Sequence, residues 1–190
     1  YKKIDGMILS KIISKKLFLD LLKYLNIFWK NEKVSQNKFN KNCHEFYKNK
    51  TYERIKKFKM LYKNYDNQET INNIKVNEVN KILDTLDWKY ISRGVAVNFH
   101  GDLHFENILL SNKKFIFLDW RQNFVKYINT GDIYYDLAKI MHGIFVSHEN
   151  VVKNRYTYIT KKNKTKINIK LKKNYKIILK TYIDWLEKNK

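Results

Sequence analysis

The sequence of 190 residues has no proline, only five glycines and one cysteine. Lysine and asparagine recur throughout, and a coding sequence rich in A and T would produce this bias together with the scarcity of proline and glycine. The lone cysteine, Cys43, excludes an intrachain disulfide, which fits a reducing compartment. We therefore expect a cytoplasmic protein.

The chain also lacks a long uninterrupted apolar run. Its most apolar stretch covers residues 7–29, and charged side chains break it at Lys11, Lys15, Lys16, Asp20 and Lys23. A membrane-spanning helix would tolerate few of these charges, so we predict no span. Hydrophobic residues make up 44% of the chain and aromatic residues 15%, which favours a soluble folded protein over a disordered one.

Acidic residues are few, with 18 Asp and Glu against 39 Lys and Arg, so the formal net charge is +21. Such a charge can mark a surface for nucleic acid, a membrane or an anionic substrate. The basic residues do not collect into one stripe, and this favours a compositional origin and makes a nucleic-acid partner unlikely. A positive field would still help to attract a nucleoside triphosphate.

Hydrophobic periodicity predicts an α+β protein that is mostly helical. Helices are expected at 7–30, 43–65, 77–90, 132–147 and 173–188, with a polar connection at 31–42. A short strand is expected at 95–99. Two hairpins are expected, the first pairing 108–110 with 115–118 and the second lying within 155–171.

Three polar residues stand out in the strand, loop and hairpin between residues 95 and 119. Asp102 and Asn107 lie on the predicted loop, and Asp119 follows the second hairpin arm. Because a hairpin returns its end close to its start, we expect Asp119 near Asn107. A carboxylate and an amide oxygen can hold Mg²⁺, and a second carboxylate can accept a hydroxyl proton. This combination suits phosphoryl transfer, which depends mainly on positioning and charge neutralisation.

The same region resembles a known superfamily. HGDLHFEN at 100–107 is similar to the H-G-D-x-x-x-x-N catalytic loop of the aminoglycoside phosphotransferase and choline kinase superfamily, which has a protein-kinase-like fold. LDW at 118–120 stands where that superfamily has its metal-binding Asp. GDIYYDLA at 131–138 resembles the segment that follows it. The order of all three blocks agrees, and the resemblance covers about residues 95–145 directly.

The resemblance implies a small-molecule kinase. Asp102 would be the catalytic residue that orients and deprotonates an acceptor hydroxyl, and Asn107 and Asp119 would hold Mg²⁺ on the phosphates of ATP or GTP. The acceptor would be a sugar, a choline-like compound or a cell-surface-polymer precursor. The sequence does not indicate which acceptor or nucleotide is used, or the oligomeric state.

Supporting roles follow from the same resemblance. His100 would support the catalytic loop from beneath, and Asp136 would hydrogen-bond the loop backbone. Leu109 would form part of the floor under the nucleotide base. His104 is a candidate contact to substrate or phosphate. Arg121 replaces the Gly of the usual D-F-G triplet, and it would contact an anionic substrate or the phosphates, or pair with a structural carboxylate.

The fold implied by the resemblance also needs a strand-rich nucleotide-binding lobe. Residues 1–94 read as helical throughout and contain no Gly-rich loop. We therefore expect residues 1–190 to form a single domain, the C-terminal lobe of a kinase-like fold, with the N-terminal lobe missing and the chain alone incomplete as an enzyme. Within it, 1–94 would be a helical substrate-side region, 95–145 the catalytic core, and 146–190 a hairpin plus a C-terminal helix.

Two alternatives stay open. One is a non-catalytic protein, either a pseudokinase or a basic nucleic-acid-binding module, and it rests on the charge and the missing lobe. The other is a zinc site built from His100, Asp102 and His104 with His142 or His148. The zinc reading leaves Asn107, Asp119 and the YDLA block unexplained.

Overall fold

The computed structural model describes residues 4–63, 67 and 69–189. Helices and small sheets alternate along the chain, so the predicted α+β class is confirmed. The chain divides into two compact units. The first combines Tyr1–Lys33, Val95–Val152 and Leu171–Lys190, and the second combines Val34–Gly94 with Lys153–Lys170. In the part of the chain that is described, no helix has both the length and the apolarity needed to cross a membrane.

The helices are distributed over both units. A π-helical segment covers Glu45–Asn49, and a 3-10 turn, Phe105–Asn107, forms the end of the predicted catalytic loop. In chain order the helices are α1 (Leu9–Ile12), α2 (Lys15–Phe28), α3 (Gln36–His44), α4 (Lys50–Leu61), α5 (Val79–Asp84), α6 (Trp88–Ile91), α7 (Ile133–Phe145), α8 (His148–Val152) and α9 (Lys173–Lys188).

The strands are short, and most pair antiparallel with a neighbour. They are β1 (Met7–Ile8), β2 (Thr70–Ile71), β3 (Ile74–Lys75), β4 (Ala96–Asn98), β5 (Ile108–Ser111), β6 (Lys114–Phe117), β7 (Asn123–Phe124), β8 (Tyr127–Ile128), β9 (Thr130–Asp132), β10 (Tyr156–Lys161) and β11 (Lys164–Ile169).

The first unit contains a sheet of order β1-β5-β6 and the pairs β4-β9 and β7-β8. The β5-β6 hairpin aligns Ile108 with Phe117, and β4-β9 aligns Val97 with Gly131. Helix α2 begins at its N-cap Ser14, whose hydroxyl accepts a hydrogen bond from the Leu17 N–H at 3.2 Å. Its apolar positions recur every three or four residues, so one face is buried, at Phe18, Leu21, Leu22 and Leu25.

The predicted helix at 7–30 was wrong at its beginning and in its middle. Residues 7 and 8 form strand β1, because their backbone pairs with β5. The helix then breaks at Ile13–Ser14, where Ser14 takes an extended conformation with φ −126° as the cap of α2. A serine in this position stabilises a helix start better than a helix interior.

The second unit has a sheet of order β10-β11-β2-β3, in which β11 and β2 run parallel. Helix α3 occupies most of the predicted polar connection at 31–42, because Phe39 within it is buried. The expectation that 1–94 is helical throughout was therefore also wrong, since β1, β2 and β3 lie there. The predicted helix at 43–65 ends at Leu61, and residues 64 and 65 lie outside the described part.

Candidate active site

The loop from His100 to His104 leaves strand β4 and enters the 3-10 turn that precedes β5. Gly101 has a φ of +80°, a conformation that side chains with a Cβ rarely adopt. An added Cβ there would lie 2.4 Å from the Cβ of Arg121 and 2.9 Å from the ring of Phe99. Glycine at this position is thus required both by the turn and by the close approach of Arg121.

Asp136 holds this loop by its backbone. The side chain is fully buried on α7, and its carboxylate accepts hydrogen bonds from His100 N at 2.8 Å, Gly101 N at 2.7 Å and Trp29 Nε1 at 3.0 Å. Burial raises the pKa of Asp136 to about 6, although the three donors favour the ionised form. These are the backbone contacts that the role implied for Asp136 would need.

His100 lies beneath the loop and is fully buried. Its Nδ1 accepts the backbone N–H of Asp102 at 3.1 Å, and its ring stacks on Trp120 with centroids 5.1 Å apart. Burial lowers the pKa of His100 to about 4, against smaller opposing effects of the Leu118 carbonyl and nearby carboxylates. The ring is therefore neutral at pH 7, and because Nδ1 is an acceptor the proton is on Nε2.

Asp102 is the most accessible carboxylate of the loop, with 37% of its side chain exposed. Lys139 Nζ lies 2.5 Å from Oδ1, and Asn107 Nδ2 donates to Oδ2 at 3.1 Å. His104 Nε2 is 3.4 Å from Oδ2. Burial alone would raise the pKa of Asp102, but Lys139, His104 and Asn107 outweigh it and hold the pKa below its usual value. The group is thus an ionised acceptor at neutral pH.

His104 bridges two carboxylates. Its Nδ1 lies 3.2 Å from Glu106 Oε2, and its Nε2 faces Asp102. The hydrogen bond to Glu106 raises the pKa of His104, and the charge of Asp102 adds to the effect, whereas burial and Lys139 oppose it. Glu106 Oε1 is buried and has no hydrogen-bond partner among the residues that the structure describes. This carboxylate oxygen therefore lacks a hydrogen-bond donor among the described residues.

Asn107 and Asp119 are the predicted metal ligands. The β5-β6 hairpin joins them as expected, because Leu118 N donates to Asn107 O at 2.9 Å and Asp119 follows directly. The amide nitrogen of Asn107 points to Asp102, so its amide oxygen would be the ligand. Asp119 is exposed and has a φ of +53°, a strained conformation that tends to occur at functional sites. This pair of oxygen donors fits a hard cation.

Two further residues of the predicted site are Arg121, which lies against the loop, and Leu109, which lies on the hairpin. Arg121 is turned to the loop itself, since its backbone N donates to His100 O at 2.9 Å and its Nε lies 3.4 Å from Gly101 O. Its guanidinium also lies 5.7 Å from the ring centroid of Tyr135. Leu109 is half-buried on β5, between Ile8 of β1 and Ile116 of β6.

A cavity of about 450 Å³ opens beside Asp102. Three lining residues are apolar: Gly143 of α7, Val146 directly after it and Val151 of α8. The polar lining residues are Asp102, His104, Glu106, Asn107, Lys139 and His142. The volume is in the usual range for a small-molecule site.

Gly143 allows the loop to approach α7. A Cβ at this position would lie 3.0 Å from the Cβ of His104 and 3.6 Å from its Cα. Glycine at position 143 therefore has a packing reason, because it lets His104 lie close to α7 at the wall of the cavity. The pKa of the neighbouring His142 is lowered, first by burial and then by the charges of Lys139 and His104.

Lys139, Glu106 and Trp29 belong to the site, but sequence reasoning missed them. Lys139 lies three residues after Asp136 on α7, and this spacing places both on one side of a helix. The spacing of three residues from Asp136 was the available signal. Trp29 gave no signal, because its contact with Asp136 spans 107 residues of sequence.

The zinc alternative finds no matching arrangement. Across 4–63, 67 and 69–189, no group of three or more His, Cys, Asp and Glu side chains is placed to hold a metal ion. Asp102 and His104 face each other, but His100 turns its Nδ1 to the backbone. The side chain of His148 lies outside the described part of the structure.

Comparison with known proteins added no relative. No protein-family model, no curated protein and no solved structure matched this chain.

Proposed function

We propose that this chain carries the acceptor side and catalytic loop of a phosphotransferase, arranged as the C-terminal lobe of a kinase-like fold. The enzyme would move the γ-phosphate of ATP or GTP to a hydroxyl of a small molecule with Mg²⁺. The observation that carries the proposal is Asp102, an ionised and partly exposed carboxylate at the edge of a cavity. Its loop is fixed by the buried Asp136 and braced by Asn107.

The chemistry assigned to Asp102 follows from its environment. The acceptor oxygen forms a bond to the γ-phosphorus while the bond between that phosphorus and the bridging oxygen breaks, which releases a nucleoside diphosphate. Asp102 would accept the hydrogen bond of the acceptor hydroxyl, orient its oxygen and take up its proton. A low pKa suits this role, because a loose transition state needs positioning more than a strong base.

Asn107 and Asp119 would hold Mg²⁺, whose contribution when bound is to neutralise charge on the phosphates. The geometry of the loop itself is held by hydrogen bonds between its own residues. Asn107 Nδ2 donates to both the backbone and the side chain of Asp102, at 3.0 Å and 3.1 Å. An amide in this position therefore fixes the catalytic carboxylate and presents an oxygen at the same time.

The test is nucleoside diphosphate release by the protein expressed from its complete coding sequence, with ATP or GTP, Mg²⁺ and a panel of hydroxyl compounds. We expect release that depends on an acceptor, and we expect Asp102→Asn to reduce kcat by about 100-fold or more. Asp20→Asn is the control, since Asp20 is exposed on α2 and pairs only loosely with Lys23 at 4.0 Å. Activity that is unaffected by Asp102→Asn would overturn the assignment.

A further inference from the structure

The cavity beside Asp102 has an unusual charge arrangement for a site built on a carboxylate. Each of its carboxylates is paired with a basic side chain. Lys139 Nζ lies 2.5 Å from Asp102 Oδ1, and His104 Nδ1 lies 3.2 Å from Glu106 Oε2. The cavity wall therefore places a basic group against each of these carboxylates.

We infer that the cavity binds the acceptor as an uncharged polyol, such as a sugar, and that Lys139 excludes cationic amino acceptors. This inference rests on the proposed function and narrows its substrate class. Lys139 acts as a specificity residue, because it already occupies the position at Asp102 that an acceptor's ammonium group would take.

The first step concerns charge. A cationic acceptor that approached Asp102 would meet the ammonium group of Lys139 at the same carboxylate. Placing like charges together in a partly buried site costs more free energy than the remaining attraction to Asp102 contributes. An anionic acceptor would meet the opposite difficulty at Asp102 and Glu106. A neutral ligand avoids both.

The second step concerns hydrogen bonding. The polar wall offers acceptors at Asp102 and Glu106 and donors at Lys139 and His104. A hydroxyl both donates and accepts, whereas an ammonium group only donates. Neighbouring hydroxyls on one ligand would satisfy this mixed set.

The third step concerns aromatic side chains. Recognition of quaternary ammonium groups relies on aromatic faces. The described residues that line this cavity are polar or aliphatic, and Val146 and Val151 are among them. The nearby aromatic residues Phe117 and Trp120 are packed on His100 instead. Among the side chains that the structure describes, a choline-like acceptor would therefore find no aromatic cage.

The experiment compares matched probes that differ by one charged amine. The pairs are glucose with glucosamine and ethylene glycol with ethanolamine, and equilibrium binding to the complete protein is measured by titration calorimetry and NMR shifts at neutral pH. We expect at least one neutral member to bind about 10-fold or more tightly than its amine partner. Lys139→Met should remove most of this preference, and Lys139→Arg should retain it.

Lys23→Met is the matched control, because Lys23 is an exposed lysine of the same unit and lies 4.0 Å from Asp20. It should leave the preference unchanged, and thermal melts check that every variant is folded. Equal or tighter binding of the amines, no binding of any probe, or a preference that survives Lys139→Met would each overturn the inference. Neutral binding without any turnover that depends on Asp102 would support the inference and overturn the proposed function, so the two failures are distinguishable.

Discussion

The backbone N–H of Gly101 donates to Oδ1 of Asp136 at 2.7 Å, although 35 residues separate the two along the chain. The other carboxylate oxygen accepts the preceding N–H of the loop, from His100, and the indole N–H of Trp29. A single buried carboxylate thus joins the loop, helix α7 and the end of helix α2. The position of Asp102 depends on it, since Asp102 follows Gly101 directly.

Asp136→Asn should destabilise the protein and weaken the proposed activity. An amide has one oxygen and one NH₂ group, so its nitrogen would face at least one of the N–H groups that the carboxylate now satisfies. We expect the free energy of unfolding to fall by about 2–3 kcal/mol. Denaturant unfolding measures this loss.

Two further variants test whether the loss comes from the hydrogen bonds of Asp136. Trp29→Phe removes one donor and should cost less, about 1 kcal/mol. Asp20→Asn changes an exposed carboxylate and should stay within about 0.5 kcal/mol of the parent. A loss no greater for Asp136→Asn than for Asp20→Asn would show that the buried carboxylate does not hold the loop.

Gly101→Ala should be among the most damaging single changes in the loop. The φ of +80° opposes any Cβ, and the new methyl group would lie 2.4 Å from the Cβ of Arg121. We expect a loss of about 3 kcal/mol from backbone strain and overpacking together. Unfolding of the single variants and of the double variant Gly101→Ala with Arg121→Gly measures the coupling.

The double variant should recover at least about 1 kcal/mol relative to the sum of the single changes, because Arg121→Gly removes the clashing Cβ but not the strain in φ. Additive losses would mean that Arg121 and Gly101 do not compete for the same space. In that case glycine at position 101 would be required for a reason other than the Cβ of Arg121.

The sequence predicted the local parts of this site well and the long-range parts poorly. The hairpin at 108–118 and the helix that carries Asp136 have strong periodic signals, and both form close to the predicted bounds. The pairing of β1 with β5 had no such signal, because Met7 and Ile8 read equally well as the start of an apolar helix. Likewise, Trp29 meets Asp136 only through tertiary packing.

The division into two units shows the same limitation. Residues 153–170 join residues 34–94 because β11 pairs with β2, and two-residue strands such as β2 leave no periodic trace. Lys139 was missed for a different reason. Its role depends on a charge partner on the loop, whereas periodicity reports only whether a helix position is apolar.

His100 should make the protein less stable as the pH falls. Its pKa is about 4 in the folded protein and 6.5 as a free side chain. A histidine whose folded pKa is lowered stabilises the fold fully above pH 6.5 and loses this contribution as the pH falls to about 4. The shift corresponds to about 3 kcal/mol. Asp136 opposes it, because its raised pKa stabilises the fold as the pH falls below about 6.

The two titrations are separated by comparing the parent with His100→Asn at each pH. The difference in unfolding free energy should shrink by up to about 3 kcal/mol between pH 7 and pH 4. Ile140→Val is the control, because it changes a buried side chain that does not titrate and should give a loss of about 1 kcal/mol that is constant with pH. A difference for His100→Asn that is equally constant would contradict the neutral, buried state of this ring.

The turn of the β5-β6 hairpin can be made more stable by substitution. It joins the arm that follows Asn107 to the arm that leads to Asp119. Its central residues, Asn112 and Lys113, have φ values of 47° and 62°, and the flanking pair is Ser111 with Lys114. Two-residue turns with both φ values positive favour Asn-Gly. Lys113→Gly should therefore stabilise the protein by about 0.5 kcal/mol, because relief of left-handed strain exceeds the added entropy of the unfolded chain.

Lys114→Gly is the matched control, since it makes the same substitution one residue later, within strand β6. There glycine relieves no strain and should cost about 0.5–1 kcal/mol. Chemical denaturation of both variants gives the comparison. If Lys113→Gly were as destabilising as Lys114→Gly, the backbone of Lys113 would not be strained in the folded protein.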